Sequence, residues 1–362
     1  MGKIQQLATL GQSIWLDYIQ RSLITSGKLQ TMIDEGLRGI TTNPSIFEKA
    51  IAQTEEYDSD LEKILEETDA VDEVLEKLMF KDIGLATDLF GPVYKSTKAL
   101  DGYVSAEVNP DLAYDTEKTI AEGTKIFKTI NRPNVMIKVP GTKPGLAAIT
   151  ELISRGINVN VTLIFGMENY MAVANAYITG LEQYLEKNPD GTLDKIASVA
   201  SFFISRIDTA VDNQLSAHPK LRGKAAIANA RLVYQEFKKI FSGERWQKLA
   251  DRGATIQRTL WASTSTKNPE FPDTLYVDEL IGSETVNTLP PATYDQFKDH
   301  GQVKATIEKD LAQAESYFKD LQAAGVDFQA ITDKLQEDGV ELFSKAYHSL
   351  LDSLQEKIKV LV

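Results

Sequence analysis

From residue 14 to residue 290, short apolar segments and longer helical ones take turns, and this alternation limits the possible folds more than any other feature of the chain. Strand-like segments read at 14–17, 36–43, 103–107, 135–139, 157–163, 196–203 and 255–263, with an eighth at 274–278 before the chain reaches 286–290. Between them the apolar spacing is helical, as at Ile19, Leu23, Leu29 and Ile33. Helical stretches fall at 18–35, 115–129, 145–155, 167–187 and 207–241. The long stretch at 45–100 opens behind Pro44 and is expected to break near Thr68 and again near Pro92 into two or three helices. Strands alternating with helices call for parallel strands joined by right-handed crossovers, and eight of them close into a (β/α)8 barrel.

Such a barrel needs about 250 residues. The surplus falls in the extra helices between strands two and three and in a C-terminal helical extension. The expected organisation is a catalytic barrel over 1–300 and a helical extension over 301–362 packed on it as one structural unit, since no Gly/Ser linker or low-complexity segment separates them. In the last helix Leu351, Leu354, Ile358 and Leu361 form a stripe at 3-4-3 spacing. The stripe must pack on the barrel or on a second subunit, and spacing does not distinguish the two.

One strand-like segment carries an anomaly. Asn134-Val-Met-Ile-Lys-Val-Pro-Gly141 is apolar enough to be buried, yet it holds Lys138. Lysine is almost never fully buried unless paired or used. At the C-terminal end of a barrel strand it would sit where this architecture keeps its chemistry; a strand-edge lysine with its head in solvent is the plainer alternative. A second anomaly is Ile157-Asn-Val-Asn-Val-Thr-Leu163, where Asn158, Asn160 and Thr162 share one face. Buried parallel strands normally read as continuous apolar runs. A polar file facing inward suggests a lumen built to hold something polar.

Composition narrows the chemistry. The chain has no cysteine, which removes disulfides, thiolate nucleophiles and Cys-ligated zinc. His218, His300 and His348 are scattered without ligand spacing, so neither a histidine triad nor a metal site is expected. A net charge of −13 argues against nucleic acid and anionic membrane as partners. It also disfavours anionic small substrates unless a local basic cluster overrides it. The N-terminal residues show neither a signal-peptide apolar run nor a myristoylation signal, and no window approaches a membrane span, so the cytosol is the expected compartment.

The polar residues at the C-terminal ends of the strands are Asp17, Asn43, Glu107, Lys138, Asn160, Thr162 and Ser201, with Arg206 just beyond. In a barrel they converge on one mouth. An amine among carboxylates, amides and hydroxyls in a confined apolar site suits carbonyl chemistry through a Schiff base, because an amine kept from water can stay neutral and nucleophilic. A neighbouring carboxylate then moves protons for carbinolamine formation and C–C cleavage. The opposing arrangement is a buried ion pair that silences the amine.

Six segments together carry a family resemblance: Trp15-Leu-Asp17, Gly39-Ile-Thr-Thr-Asn-Pro-Ser45, Ser105-Ala-Glu-Val-Asn-Pro110, Ile137-Lys-Val-Pro140, Ile157-Asn-Val-Asn-Val-Thr162 and Ser201-Phe-Phe-Ile-Ser-Arg206. In order and across nearly the whole chain they resemble transaldolases of the Schiff-base aldolase superfamily, and the length resembles the longer, bacterial-type members. The resemblance implies a (β/α)8 barrel without metal or organic cofactor. It implies transfer of a dihydroxyacetone unit from sedoheptulose 7-phosphate or fructose 6-phosphate to glyceraldehyde 3-phosphate or erythrose 4-phosphate, in the non-oxidative pentose phosphate pathway. By resemblance, Lys138 is the Schiff-base lysine and Asp17 the acid/base that takes the C4 hydroxyl proton. Glu107 and Thr162 hold a water for carbinolamine dehydration, Asn43 and Asn160 bind the dihydroxyacetone hydroxyls, and Ser201 and Arg206 contact substrate and phosphate.

One departure stands out. Related transaldolases place a second phosphate-binding arginine after strand seven, where this chain reads Trp261-Ala-Ser-Thr-Ser-Thr-Lys267. Lys267, assisted by Ser263 or Ser265, is the candidate replacement, a point charge without arginine's bidentate fork. The rival expectations are a Schiff-base aldolase releasing free dihydroxyacetone or cleaving a deoxysugar phosphate, a catalytically idle barrel that binds sugar phosphates, and a subunit docking through the C-terminal helix. Monomer and homodimer are both compatible with the sequence.

Overall fold

Seven of the eight strand-like segments become barrel strands in a computed structural model, which describes residues 1–52 and 54–361. The strands are β1 (Gln12–Asp17), β2 (Gly39–Thr41), β3 (Tyr103–Glu107), β4 (Val135–Pro140), β5 (Val159–Ile164), β6 (Ser198–Phe203), β7 (Arg258–Ala262) and β8 (Thr285–Leu289). All neighbours are parallel, and β8 pairs back onto β1 to close the ring. The expected (β/α)8 barrel is the fold. Trp15 fills its interior, fully buried, and Gly39 on the next strand makes room: a Cβ there would lie 2.6 Å from the indole ring.

The eighth strand is not at 274–278. Those residues largely form a helical turn, Leu275–Glu279, and the strand is Thr285–Leu289. Ring closure decides this, because only Thr285–Leu289 pairs with β1 on one side and β7 on the other. Its buried polar residues disguise it as a loop. Thr285 donates to Gly282 O and accepts from Gln12, while Asn287 accepts from Thr264. The Leu275-Tyr-Val run is apolar for a different reason: Tyr276 and Val277 are the buried face of the turn, and the Tyr276 hydroxyl donates to Asp208.

The insert between β2 and β3 holds three helices, Pro44–Ala52, Asp58–Leu65 and Val71–Ser96. The expected break near Pro92 is absent, and the last of these helices runs through it. Pro92 removes the bond to the carbonyl of Asp88, but both residues face solvent, where water can satisfy that carbonyl. The stretch read as one helix over 207–241 is divided into Ser205–Asp212 and Ala225–Ile240 by an irregular segment.

After β8 come helices Pro291–His300, Leu311–Ala323 and Phe328–Leu361. The last crosses the C-terminal mouth of the barrel. The Gln336 amide lies within hydrogen-bonding distance of Gly141 O (3.1 Å) and Leu163 O (2.9 Å), just beyond β4 and within β5. Leu163 is the irregular point of β5, with φ +60° beside a register shift, and its carbonyl is the one Gln336 engages. Gly339, one turn on, meets Leu163 directly: a Cβ would come within 2.9 Å of its Cδ2. A glycine inside a helix costs about 1 kcal/mol relative to alanine, so this close approach is a reason to tolerate it. Further along, Ser344 and His348 bind Asp111, and Leu350 and Leu354 are fully buried. Leu351, Ile358 and Leu361 pack at the margin of the same core. The apolar stripe thus rests on this chain's own core.

Candidate active site

Three neighbouring strands set the centre. In the register of the sheet Glu107 stands beside Lys138, and Lys138 beside Asn160. Alternate residues of a strand point the same way, so Ser105 with Glu107 and Asn160 with Thr162 project on the side that Lys138 faces. Lys138 is 5 % exposed. Its Nζ donates to Thr42 O at 2.8 Å and lies 3.7 Å from Glu107 Oε1. The ring of Phe343, from the helix over the mouth, is centred 5.2 Å from Nζ, a cation–π distance.

The two carboxylates nearby sit in different settings. Asp17, the last residue of β1, accepts from Thr41 Oγ1 at 2.7 Å, and Thr41 shares a further 2.7 Å bond with Thr288. With Thr41 donating to Asp17, Thr288 must donate to Thr41, which makes a short hydroxyl chain from β8 to β1. Burial raises the Asp17 pKa against the opposing pull of Lys138 and the Thr41 hydrogen bond. Burial also pushes Glu107 up to about 7; Lys138 pulls it down, and the negative charge of Asp17 adds to the rise. Glu107 Oε2 and Thr162 Oγ1 are buried without a hydrogen-bond partner among the described residues. Buried polar atoms are rarely left so, and these two lie on the side of the sheet that Lys138 faces, each with hydrogen-bonding capacity open to a further molecule.

A cavity of ≈ 380 Å³ opens from Lys138 to the mouth. Of the residues singled out by sequence, Asp17, Asn43, Lys138, Thr162, Ser201, Arg206 and Lys267 line it, together with Ser263 and Ser265. Glu107 does not; it lies behind the amine and borders smaller recesses on the other side. Asn160 is also withdrawn, its amide donating to Ser105 Oγ at 2.9 Å and accepting from Ser201 Oγ at 2.6 Å. Asn43 spends its side-chain oxygen on the N–H of Ile46, at the start of helix Pro44–Ala52, which leaves the amide nitrogen for the cavity.

The outer part of the cavity is cationic. The Arg206 guanidinium stacks 5.5 Å from the centre of the Phe203 ring, and neither it nor Lys267 has a carboxylate partner among the described residues. Burial lowers the Arg206 pKa, the cost of holding a charge away from water without a partner. Lys267 donates to Ser265 Oγ at 2.9 Å. Two cations and two serines without an acidic neighbour suit a dianionic group. Among the described residues, no group of three or more His, Asp or Glu is placed to hold a metal ion.

Thr41, Thr288, Ser105 and Phe343 were not singled out by sequence. Thr41 and Thr288 lie within segments quoted above, but only closure of β8 onto β1 brings them together. For Phe343, 205 positions after Lys138, no sequence signal exists.

A family model described as "Transaldolase/Fructose-6-phosphate aldolase" matches residues 14–354. The chain is 48% identical to a transaldolase of Trichodesmium erythraeum, over 98% of this chain and 97% of the relative. It is 45% identical to transaldolase 2 of Nostoc punctiforme, with the same coverage of each chain, and 44% identical to a transaldolase of Thermobifida fusca over 98% of each.

Proposed function

The chain belongs to the transaldolase/fructose-6-phosphate aldolase family, and from that premise we propose how the barrel mouth carries out the reaction. The protein acts as a transaldolase on sugar phosphates, moving a dihydroxyacetone unit from a ketose phosphate to an aldose phosphate through a lysine Schiff base, as in the non-oxidative pentose phosphate pathway. The observation that carries the site assignment is the surrounding of Lys138: a buried amine 3.7 Å from a carboxylate whose other oxygen has no partner, at the inner end of the cavity.

Lys138 Nζ attacks C2 of the ketose, here sedoheptulose 7-phosphate or fructose 6-phosphate. A water held between Glu107 and Thr162 carries protons as the carbinolamine loses its oxygen as water. Such a water satisfies both orphaned oxygens, and a carboxyl near pKa 7 can give and take a proton at neutral pH. Asp17 then removes the C4 hydroxyl proton. The C3–C4 bond breaks, its electron pair passes into the iminium to give an enamine, and the aldehyde departs. The enamine attacks glyceraldehyde 3-phosphate or erythrose 4-phosphate by the reverse steps. Asn43 and Ser201 bind hydroxyls of the three-carbon unit, Asn160 acting with Ser201, and Arg206 and Lys267 hold the phosphate.

Borohydride reduction with fructose 6-phosphate and no acceptor tests this. A three-carbon adduct on the Lys138 peptide is expected, and its absence would overturn the assignment. The family description also names an aldolase, and release of free dihydroxyacetone as the main product would favour that reading. We further propose that 1–300 and 301–362 work as one unit, as a cytoplasmic monomer or homodimer without nucleic-acid or membrane partners. In support, no described helix is long and apolar enough to cross a membrane.

A further inference from the structure

We infer that Phe343, on the C-terminal helix, is a specificity-determining residue that keeps the three-carbon unit on Lys138 for transfer by covering the amine with an apolar ring. The inference rests on the Schiff-base reading of Lys138.

The geometry comes from the way the helix is seated. Gln336, Gly339 and Phe343 follow one another at helical spacing on one face. Gln336 reaches the Leu163 and Gly141 carbonyls, Gly339 lies against Leu163, and Phe343 therefore arrives over Lys138. Ser344 and His348 fix the next turn on Asp111. Phe343 borders the main cavity on one side and, on the other, a small recess of ≈ 10 Å³ that it shares with Glu107. The ring thus stands between the mouth and the carboxylate behind the amine. Leu342 and Ala346 extend the apolar wall at the mouth.

The chemistry makes that position consequential. Loss of the three-carbon unit needs one thing that transfer does not. A proton must reach C3 of the enamine, converting it to the iminium; water then adds at C2 and releases dihydroxyacetone with Lys138 regenerated, the same last step that releases the ketose after transfer. A ring centred 5.2 Å from the nitrogen offers no acidic proton and displaces water that could bring one to C3. It also favours a cation at that nitrogen, so it suits both the iminium that precedes cleavage and the one that follows condensation. The aromatic face therefore serves the forward path, while the excluded volume opposes protonation of the enamine.

The test measures free dihydroxyacetone against dihydroxyacetone transferred to erythrose 4-phosphate, with fructose 6-phosphate as donor. The full chain is used, as wild type, Phe343→Ala, Phe343→Leu and Gly339→Ala. Phe343→Ala should raise the released-to-transferred ratio about tenfold or more, and Phe343→Leu, which restores the bulk, should return most of it. Gly339→Ala leaves the cavity wall chemically intact but lifts the helix from Leu163, and it should raise the ratio by a smaller factor. Folding of each variant is checked by circular dichroism. An unchanged ratio in folded Phe343→Ala, or in folded Gly339→Ala should Phe343→Ala not fold, overturns the inference. If wild type itself gives no borohydride adduct on Lys138, the Schiff-base reading has failed, which is a different result.

Discussion

Two clusters of buried charge occupy opposite ends of the same barrel, and they differ in how completely they are paired. At the N-terminal end, Arg258 donates to Ser13 Oγ (2.8 Å), Leu100 O (2.6 Å) and Asp101 Oδ1 (2.8 Å). Asp101 also accepts from Ser13 and from the Trp15 indole. No polar atom of that pair is orphaned among the described residues. At the C-terminal mouth the pair is looser, 3.7 Å between Lys138 and Glu107, and orphaned oxygens remain on Glu107 and Thr162. A buried ion pair holds its place only when its remaining lone pairs and protons are satisfied. The lower cluster meets that condition from within the protein, whereas the upper one leaves two oxygens without a partner among the described residues. The first closes on itself, and on the reading proposed above the second leaves groups free to react.

If that contrast is right, substitutions at the two ends should separate activity from stability. The largest effect is expected at the mouth. Lys138→Ala should lose turnover by on the order of 10⁴-fold or more, with no borohydride adduct, while the fold persists in circular dichroism. Wild-type rates in this variant would end the site assignment. Next comes Arg258→Met, which leaves Asp101 buried without its cation and should cost about 3–5 kcal/mol in urea unfolding. Its rate per folded molecule should be unchanged. A folded Arg258→Met protein that no longer forms the Lys138 adduct would break the comparison.

Glu107→Gln sharpens it, because here activity and stability should move in opposite directions. Burial raises the Glu107 pKa from 4.5 to about 7, so between those values the folded state holds a proton that the unfolded chain has released. The stability this contributes is complete below pH 4.5 and is lost as pH rises through 7. Glutamine does not titrate. Relative to wild type, Glu107→Gln should therefore gain stability between pH 5 and pH 8, by about 1–3 kcal/mol, while Schiff-base formation slows about 10²-fold. Urea midpoints at the two pH values decide this; an equal difference at both would show that Glu107 does not titrate across the interval.

What could be read from the sequence follows the same division. Lys138 in an apolar strand and the polar file of Asn158, Asn160 and Thr162 are local contradictions of what a buried strand should contain, and local contradictions are visible in a sequence. Even there the positions differ: Asn160 stands beside Lys138 and Thr162 lines the cavity, but Asn158 has its amide donating to Pro133 O and Val135 O and its carbonyl accepting from Ala197 N. β8 was hidden because its polar residues find partners on other elements, Thr285 from Gln12, Asn287 Oδ1 from Thr264 and Thr288 with Thr41, and that is known only once the ring closes. The Arg258 cluster was hidden too, since its partners come from β1, the segment before β3 and β7. Phe343 depends on the seating of a helix against Leu163 and Gly141, which no spacing announces.

The smallest effect concerns the outer cations, where the comparison recurs on a finer scale. Arg206 is half-buried and stacked on Phe203, while Lys267 is exposed and bonded to Ser265. An exposed cation is screened by salt and contributes little to folding, so Lys267→Met should leave stability unchanged. Against a chain of net charge −13, however, a phosphate needs every local cation, and KM for fructose 6-phosphate should rise about tenfold at low ionic strength with kcat unaltered. The increase should shrink above about 0.1 M salt, where the Debye length falls to about 10 Å. Lys267→Arg restores the two-pronged donor that a phosphate accepts best and should lower KM a few-fold below wild type. If Lys267→Met binds substrate normally at low salt, the phosphate rests on Arg206 and the serines alone, and the exposed lysine is a loop residue with no part in binding.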